Sequence, residues 1–160
     1  RFAAMAAMHE HIYKHDRYDD IAAADFIPAV LDKVLEAYGS SAGVHYDIGD
    51  IAVDRDHATP LALLLSELAT NSCKYAFADG RPGEISVAMQ ALPNGRGELV
   101  FRDNGIGMTE PSTGNSMGMR IIRGAVTQMG GTFRFRTDNG LVFEADLDMR
   151  PDRASPQAVQ

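Results

Sequence analysis

Three polar residues, Glu67, Asn71 and Lys74, are spaced along one predicted helix in the middle of the chain. Positions i, i+4 and i+7 lie on one side of an α-helix, so an acid, an amide and an amine would form one polar stripe. A neighbouring stripe is expected to face a core and consists of Leu61, Leu64, Leu65, Leu68, Ser72 and Tyr75. Such a polar stripe could line a ligand cleft, although a solvated helix face has the same pattern.

Two glycine-bearing turns follow this helix in the sequence. The segment Asp103–Met108 (DNGIGM) places an acid at the end of a predicted strand, before alternating glycines that let the backbone approach a flat ligand closely. The segment Asn115–Arg120 (NSMGMR) opens a predicted helix, whose free N–H groups and positive dipole end favour phosphate groups. The two turns therefore indicate a site for a flat ligand that carries phosphate.

The helix and the two turns together resemble the ATP-binding domain shared by DNA gyrase B, heat-shock protein 90, sensor histidine kinases and the MutL repair proteins. The helix is similar to the N box of that family, Asp103–Gly107 to its G1 box and Ser116–Met119 to its G2 box. The run Glu67–Phe77 (ELATNSCKYAF) looks like the N box of the second histidine-kinase subfamily, which is related to the HWE kinases. The resemblance covers Arg1 to about Met149.

This resemblance implies that the chain binds ATP and Mg²⁺. Asp103 would accept a hydrogen bond from the amino group of adenine, Asn71 would coordinate Mg²⁺ through its amide oxygen, and Lys74 would lie near the phosphates. Glu67 and Asn71 would be the catalytic residues, with Glu67 orienting or deprotonating a histidine nucleophile from another module. The other implied cofactor-binding positions lie in the two turns and are Gly105, Ile106, Gly107, Met108, Ser116, Gly118 and Met119.

The chain departs from the family pattern at two positions near these turns. Ser116 stands where the G2 box usually has its first glycine. Leu141 follows Gly140 where many relatives have a threonine that supports the adenine-binding acid. We therefore expect a weaker second contact on the adenine side and a modest nucleotide affinity. The polar segment 109–115 is similar to a short form of the family's mobile lid, and no F box is recognisable.

Composition and charge exclude several other classes of function. The chain has 45% hydrophobic and 23% charged residues, which is ordinary for a globular domain. Its net charge of −7 argues against a nucleic-acid surface, because binding nucleic-acid phosphates requires an excess of cations. The single cysteine, Cys73, permits neither an internal disulfide nor a cysteine metal cluster. No membrane span and no signal peptide are visible, so we expect a bacterial cytoplasmic location.

Hydrophobic periodicity predicts the elements that would position these residues. Helices are expected at 2–13, at 25–38, from between residues 56 and 60 to the N box, and at 117–129. Strands are expected at 44–48, 51–53, 84–91, 98–102, 132–137 and 141–149. Asp25 and Thr59 are the predicted N-caps, with Pro28 and Pro60 in the first turns that follow. With the resemblance, this order implies a two-layer α/β sandwich, the Bergerat ATP-binding fold, whose mixed, mainly antiparallel sheet has one face covered by about three helices.

The resemblance also divides the chain into three parts. Residues 1–18 are similar to the second helix of the subfamily's dimerisation and phosphoacceptor hairpin, residues 19–150 to its catalytic ATP-binding domain, and residues 151–160 are expected to be a disordered tail. The phosphorylated histidine would lie upstream of residue 1. His9, His11 and His15 would then be solvated helix residues, rather than zinc ligands or phosphoacceptors.

The predicted function is the ATP-binding catalytic domain of a two-component sensor histidine kinase. It would transfer the γ-phosphate of ATP to the upstream histidine, form a homodimer through the helical hairpin, and pass phosphate to a response regulator receiver domain. One alternative is a non-catalytic phosphotransfer or interaction module on a decayed kinase domain, which loss of Asn71 or Asp103 would have favoured. Another is an anti-sigma-factor-type serine kinase, against which the histidine-bearing helix at 2–13 argues.

Overall fold

The computed structural model describes residues 20–107 and 116–151. Four sequence predictions lie outside these residues: the helix at 2–13 with its histidines, the position of Met108, the lid-like segment 109–115 and the tail. No helix among the described residues combines the length and the apolar character that crossing a membrane requires.

Seven strands and three α-helices make up the described chain. In chain order they are β1 (Ile21–Ala22), α1 (Ala23–Ala37), β2 (Gly43–Ile48), β3 (Ala52–Val53), α2 (Arg55–Asn71), β4 (Glu84–Ala91), β5 (Arg96–Asp103), α3 (Met117–Gln128), β6 (Thr132–Thr137) and β7 (Leu141–Asp148). A π-helix (Ser72–Ala76) continues α2 directly, and a short 3-10 turn (Pro93–Gly95) joins β4 to β5.

The main sheet has five strands in the order β2-β4-β5-β7-β6. The β2–β4 pair is parallel and the other three pairs are antiparallel. β1 and β3 form a separate two-stranded antiparallel sheet. The predicted mixed, mainly antiparallel sheet is therefore confirmed.

One face of the sheet packs against the three helices. Alternate residues of the central strands are buried, for example Ile85, Val87 and Met89 in β4, as expected where one strand face meets a core. The leucines predicted for the core stripe of α2 are buried among them: Leu61, Leu64, Leu65 and Leu68. This arrangement confirms the predicted two-layer α/β sandwich.

Two helices begin earlier than the sequence predicted. The backbone N–H of Ala23 donates to the carbonyl oxygen of Ile51 at 2.8 Å, so the small β1–β3 sheet leads directly into α1. Asp25 consequently lies in the first turn of α1 rather than at its N-cap, and Pro28 is its sixth residue. In α2 the N-cap is Asp54 rather than Thr59, and Pro60 lies inside the helix.

The strands predicted at 44–48 and 51–53 do not pair with each other. β2 pairs in parallel with β4, and β3 pairs with β1. The polypeptide turns away after Ile48, where the N–H of Gly49 still donates to the carbonyl oxygen of Met89 at 2.7 Å. Residues 49–51 therefore connect two separate sheets.

His57 connects the start of α2 to the end of β7. Its ring is buried, with Nδ1 2.6 Å from Oδ1 of Asp54 and Nε2 2.7 Å from the backbone oxygen of Asp148. Its backbone N–H also donates to Oδ1 of Asp54 at 2.9 Å. The ring therefore bridges the N-cap of α2 and the backbone at the end of β7. A hydrogen bond from Arg150 lowers the pKa of the Asp148 carboxyl to about 2, so this carboxylate stays ionised at neutral pH.

We expect His57→Ala to lower the free energy of unfolding by about 2–4 kcal/mol, because it removes a buried ring together with its hydrogen bonds to the Asp54 carboxylate and to the backbone oxygen of Asp148. Urea unfolding at pH 7 measures this change. His45→Ala is the matched control, since His45 is exposed and pairs with the exposed Glu84, and its loss should cost less than about 1 kcal/mol. Equal losses in the two variants would contradict a structural role for the buried ring.

Candidate functional site

A cavity of about 590 Å³ opens between the end of α2, the π-helix, the turn after β5 and the start of α3. Eight of the site residues predicted from the sequence line it: Glu67, Asn71, Lys74, Asp103, Gly107, Ser116, Gly118 and Met119. The polar stripe of α2 therefore faces a cleft and is not a fully solvated helix face.

Asp103 is the buried acid of this cavity. It ends β5 with 5% of its surface exposed. Its Oδ1 accepts hydrogen bonds from the backbone N–H groups of Gly105 at 3.0 Å and Leu141 at 3.1 Å. Its Oδ2 accepts a hydrogen bond from the hydroxyl of Ser72 at 2.8 Å. The hairpin has no threonine at this position, and a backbone N–H of the hairpin and a serine of the N box hydrogen-bond the carboxylate here.

Gly105 and Ile106, two of the positions predicted to contact the cofactor, are not among the described residues that line the cavity. A Cβ atom on Gly105 would overlap Ala76, and the N–H of Ile106 donates to the carbonyl oxygen of Ala76 at 3.1 Å. The turn after β5 is therefore fixed against the π-helix, and this orientation leaves the Ile106 side chain 48% exposed. Gly107, with a φ of 79°, does reach the cavity.

The π-helix changes the direction of the residues at the end of the N box. The sequence placed Tyr75 in the core stripe by assuming 100° per residue, whereas its side chain is 62% exposed and lies at the cavity. The N–H of Phe77 donates to Ser72, five residues earlier, at 3.3 Å. This wider turn shifts the angular positions after Asn71, so the prediction for Tyr75 is wrong.

Glu67 and the start of α3 lie side by side. Glu67 is 8% exposed, and a Cβ atom on Gly118 would be only 3.1 Å from its Oε2. Ser116 is the N-cap of α3, and its hydroxyl oxygen accepts a hydrogen bond from the N–H of Met119 at 3.1 Å. Serine at the first position of the G2 box therefore has a structural use, because its side chain satisfies one free N–H of the helix.

The loop between the π-helix and β4 is attached to the turn after β5 through Asn104. Oδ1 of Asn104 accepts a hydrogen bond from the N–H of Glu84 at 2.8 Å, and its Nδ2 donates to the carbonyl oxygen of Pro82 at 3.1 Å. Arg81 donates to the backbone oxygen of Asn104 at 2.7 Å. These bonds hold the strand end that carries Asp103, so Asn104 positions the site without lining it.

Several lining residues were not predicted from the sequence. They are Tyr38, Thr70, Tyr75, Ala76, Met117, Phe135 and Leu141. Tyr38 reaches the site from the end of α1, and Phe135 from β6, so only the tertiary structure brings them there. Ser72 does not line the cavity, but it hydrogen-bonds Asp103. The sequence could have indicated this role, because a hydroxyl in a core stripe needs a hydrogen-bond partner.

The described residues offer no ready-made metal cluster, since none of their His, Cys, Asp and Glu side chains gather in groups of three or more. The nearby Cys73 is a poor candidate for a nucleophile, because burial raises the pKa of its thiol.

Two curated proteins illustrate what the chain is similar to. It is 29% identical over 119 residues to the nitrate/nitrite sensor protein NarQ of Escherichia coli (strain K12), a match that covers 71% of this chain and 20% of NarQ. It is 30% identical over 118 residues to the sensor histidine kinase PdtaS of Mycobacterium tuberculosis (strain ATCC 25618 / H37Rv), covering 67% of this chain and 23% of PdtaS. The chain thus spans about a fifth to a quarter of the length of these relatives.

Solved structures share the fold. The histidine kinase domain from the Erythrobacter litoralis EL346 blue-light activated histidine kinase superposes with a TM-score of 0.79 at 19% identity, covering 91% of this chain and 71% of that one. The mycobacterial sensor histidine kinase MprB gives a TM-score of 0.66 at 18% identity, covering 83% and 99% respectively. At these identities the likeness establishes the fold alone.

A family model described as histidine kinase-, DNA gyrase B-, and HSP90-like ATPase matches residues 56–151. The match covers more than half of the chain and includes α2, the π-helix and the two glycine-bearing turns. The cavity lies mainly within the matched segment, with Tyr38 as its one lining residue outside it among those described. The chain belongs to the family of histidine kinase-, DNA gyrase B- and HSP90-like ATPases.

Proposed function

We propose that the cavity binds Mg-ATP and that the chain acts as the catalytic domain of a two-component sensor histidine kinase. The observation that carries the proposal is the buried carboxylate of Asp103, which lines the cavity of a domain from an ATPase family. The presence of both Asn71 and Asp103 in the cavity lining favours an active domain over a decayed one.

The base of the nucleotide would bind at Asp103. An ionised carboxylate has about four acceptor positions, and donors from the described residues take three of them. The fourth is available to an exocyclic amino group in the cavity. Apolar side chains that line the same cavity, including Met119 and Leu141, would contact the faces and edges of the ring.

The phosphates would bind between Lys74 and the start of α3. The first-turn N–H groups of α3 and its positive dipole end favour phosphate oxygens, and Lys74 is exposed at the cavity. Asn71 and Glu67 lie one turn apart and supply hard oxygen atoms, which suit the waters and phosphates that Mg²⁺ keeps as ligands. Bound Mg²⁺ would neutralise charge on the phosphates.

Glu67 would orient or deprotonate the attacking nitrogen of a histidine. Phosphoryl transfer requires mainly positioning and charge neutralisation, so an acid, an amide and an amine on one helix are sufficient. The acceptor histidine would belong to a helical hairpin outside residues 1–160, through which the complete kinase would form a homodimer. A response regulator receiver domain would take the phosphate next, in the bacterial cytoplasm.

We expect Asp103→Asn to weaken ADP binding at least tenfold, measured by isothermal titration calorimetry. An amide oxygen has only two acceptor positions, so it cannot serve Ser72, Gly105 and Leu141 and the base together. Asp47→Asn is the control, since Asp47 is exposed on β2, away from the cavity. Unchanged ADP affinity in a folded Asp103→Asn protein would remove Asp103 from this role.

We expect Asn71→Ala to remove the gain in ATP affinity that Mg²⁺ provides, because the side chain loses its only hard oxygen. The measurement is the ATP dissociation constant with Mg²⁺ and with a chelator, in wild type and variant. Gln90→Ala removes an exposed amide on β4 and should leave the Mg²⁺ effect intact. A variant at Asn71 that keeps the full Mg²⁺ effect would refute the metal role.

We expect the chain alone to bind ATP without gaining acid-labile phosphate, and to phosphorylate a histidine-bearing hairpin of the subfamily supplied in trans. His57 is buried, and His45 is paired with Glu84 outside the cavity lining. Radiolabelled ATP measures phosphate transfer to the hairpin. The Glu67→Gln variant should bind ATP as wild type does and transfer its phosphate more slowly. Label on the chain itself that disappears in His9→Ala or His11→Ala would place the acceptor within these residues instead.

A further inference from the structure

Tyr38 lines the cavity from outside the segment that the family model matches. It is the C-cap residue of α1, and its side chain is 45% exposed. Its hydroxyl forms no hydrogen bond with any of the described residues. Neither burial in the core nor an internal hydrogen bond therefore accounts for a tyrosine at this position.

The end of α1 holds Tyr38 in a fixed position. The N–H of Ser40 donates to the carbonyl oxygen of Leu35 at 2.9 Å, and the N–H of Gly39 donates to that of Glu36 at 3.0 Å. These two bonds form a Schellman motif, in which Gly39 is the left-handed residue with a φ of 60°. The tyrosine is thus carried by a closed helix end, and its backbone is positioned before a ligand binds.

The residues that follow Tyr38 approach the π-helix next to Lys74. Burial raises the pKa of the Cys73 thiol, and the nearby Ser40 side chain acts in the opposite direction. Lys74 follows Cys73 directly and lines the cavity, as does Thr70 one turn earlier. Tyr38 therefore reaches the cavity on the side that Lys74 borders.

Lys74 is the one cationic side chain among the described residues that line the cavity. An anionic part of a ligand is therefore attracted to the side of the cavity that Lys74 borders. A phenol can donate a hydrogen bond, and a hydrogen bond to an ionised oxygen is roughly twice as strong as one to a neutral oxygen. Tyr38 can thus add a neutral donor beside the charge of the lysine.

We propose that Tyr38 is a ligand-binding residue whose hydroxyl donates a hydrogen bond to a phosphate group of the nucleotide, beside Lys74. Because the helix end already holds the tyrosine, the ligand gains this bond without ordering a loop. The inference rests on the proposed nucleotide site and extends that site to α1, which the family model does not match. The hydroxyl would raise the affinity for the phosphate groups, and not for the base or the ribose.

Tyr46 provides a matched control for the loss of a phenolic hydroxyl. It is a partly buried tyrosine on β2, its hydroxyl has no hydrogen-bond partner among the described residues, and it does not line the cavity. Replacing either tyrosine by phenylalanine removes one hydroxyl and keeps the ring. Only Tyr38→Phe removes a hydroxyl from the cavity.

The test compares ADP with adenosine, which has the same base and ribose but no phosphate, on the 160-residue chain. Isothermal titration calorimetry gives the dissociation constant of ADP, and competition against ADP gives that of adenosine. We expect Tyr38→Phe to weaken ADP binding by roughly threefold to tenfold and to change adenosine binding by less than about twofold. Tyr46→Phe should change neither constant by more than about twofold.

Each other outcome has a definite meaning. Unchanged ADP affinity in Tyr38→Phe overturns the inference. Equal weakening of ADP and adenosine overturns it as well, because the hydroxyl would then act on the base, on the ribose or on the cavity as a whole. Should Tyr38→Phe unfold, Tyr38→Leu also lacks the hydroxyl, and a folded leucine variant with wild-type ADP affinity overturns the inference. A wild type that binds neither ligand refutes the proposed function itself, and the inference falls with it.

Discussion

The carboxylate of Asp103 is the constraint on which the site depends. A buried ionised group is stable only when its oxygens are hydrogen-bonded, and here the donors come from three segments far apart in the sequence. Ser72 comes from the N box, Gly105 from the next turn and Leu141 from the last hairpin. All three segments must be in place for the buried charge of Asp103 to be stable. The carboxylate therefore fixes the relative positions of the cavity walls.

Two glycines allow these segments to approach closely enough. A Cβ atom on Gly140 would overlap the backbone oxygen of Asp103, and one on Gly105 would overlap Ala76. Gly140 also has a φ of 129°, a conformation that other residues rarely adopt. The β6–β7 hairpin and the π-helix therefore contact the end of β5 through backbone atoms, which leaves side chains such as Tyr75 free to line the cavity.

The sequence predicted the features that depend on local periodicity. Strands β4 and β6 have the predicted bounds, since alternation in a strand is visible in the sequence itself. The features it did not predict depend on contacts between distant residues. The start of α2 follows from the bonds of His57 to Asp54 and to Asp148, and the parallel partner of β2 lies some forty residues away. The exposure of Tyr75 follows from the π-helix, which breaks the assumed angle per residue.

The same distinction, between local patterns and contacts of distant residues, separates the parts of the cavity that the sequence predicted from those that it did not. Residue types and their order were enough to predict that four polar residues share one cavity: Glu67, Asn71, Lys74 and Asp103. The orientation of the turn after β5, in contrast, turns the side chain of Ile106 to the surface. The directions of side chains in that turn are set by the bond between Ile106 and Ala76, which no spacing rule encodes. For Ser72 the sequence predicted the burial correctly. A buried hydroxyl needs a hydrogen-bond partner, and the structure identifies that partner as Asp103.

The position of Glu67 explains why an anionic ligand in this cavity would need cations. Its carboxylate lies against Gly118 in the first turn of α3, where it already interacts with the positive end of the helix dipole. Phosphates arriving at that helix end would therefore meet a negative charge at close range in a partly buried place. Lys74 would offset one negative charge, and a divalent cation held beside Asn71 would offset two more. Under the proposed function, the N-terminal end of α3 alone is insufficient for phosphate binding, because Glu67 cancels part of its positive potential. Lys74 and a cation bound beside Asn71 would restore a positive potential there.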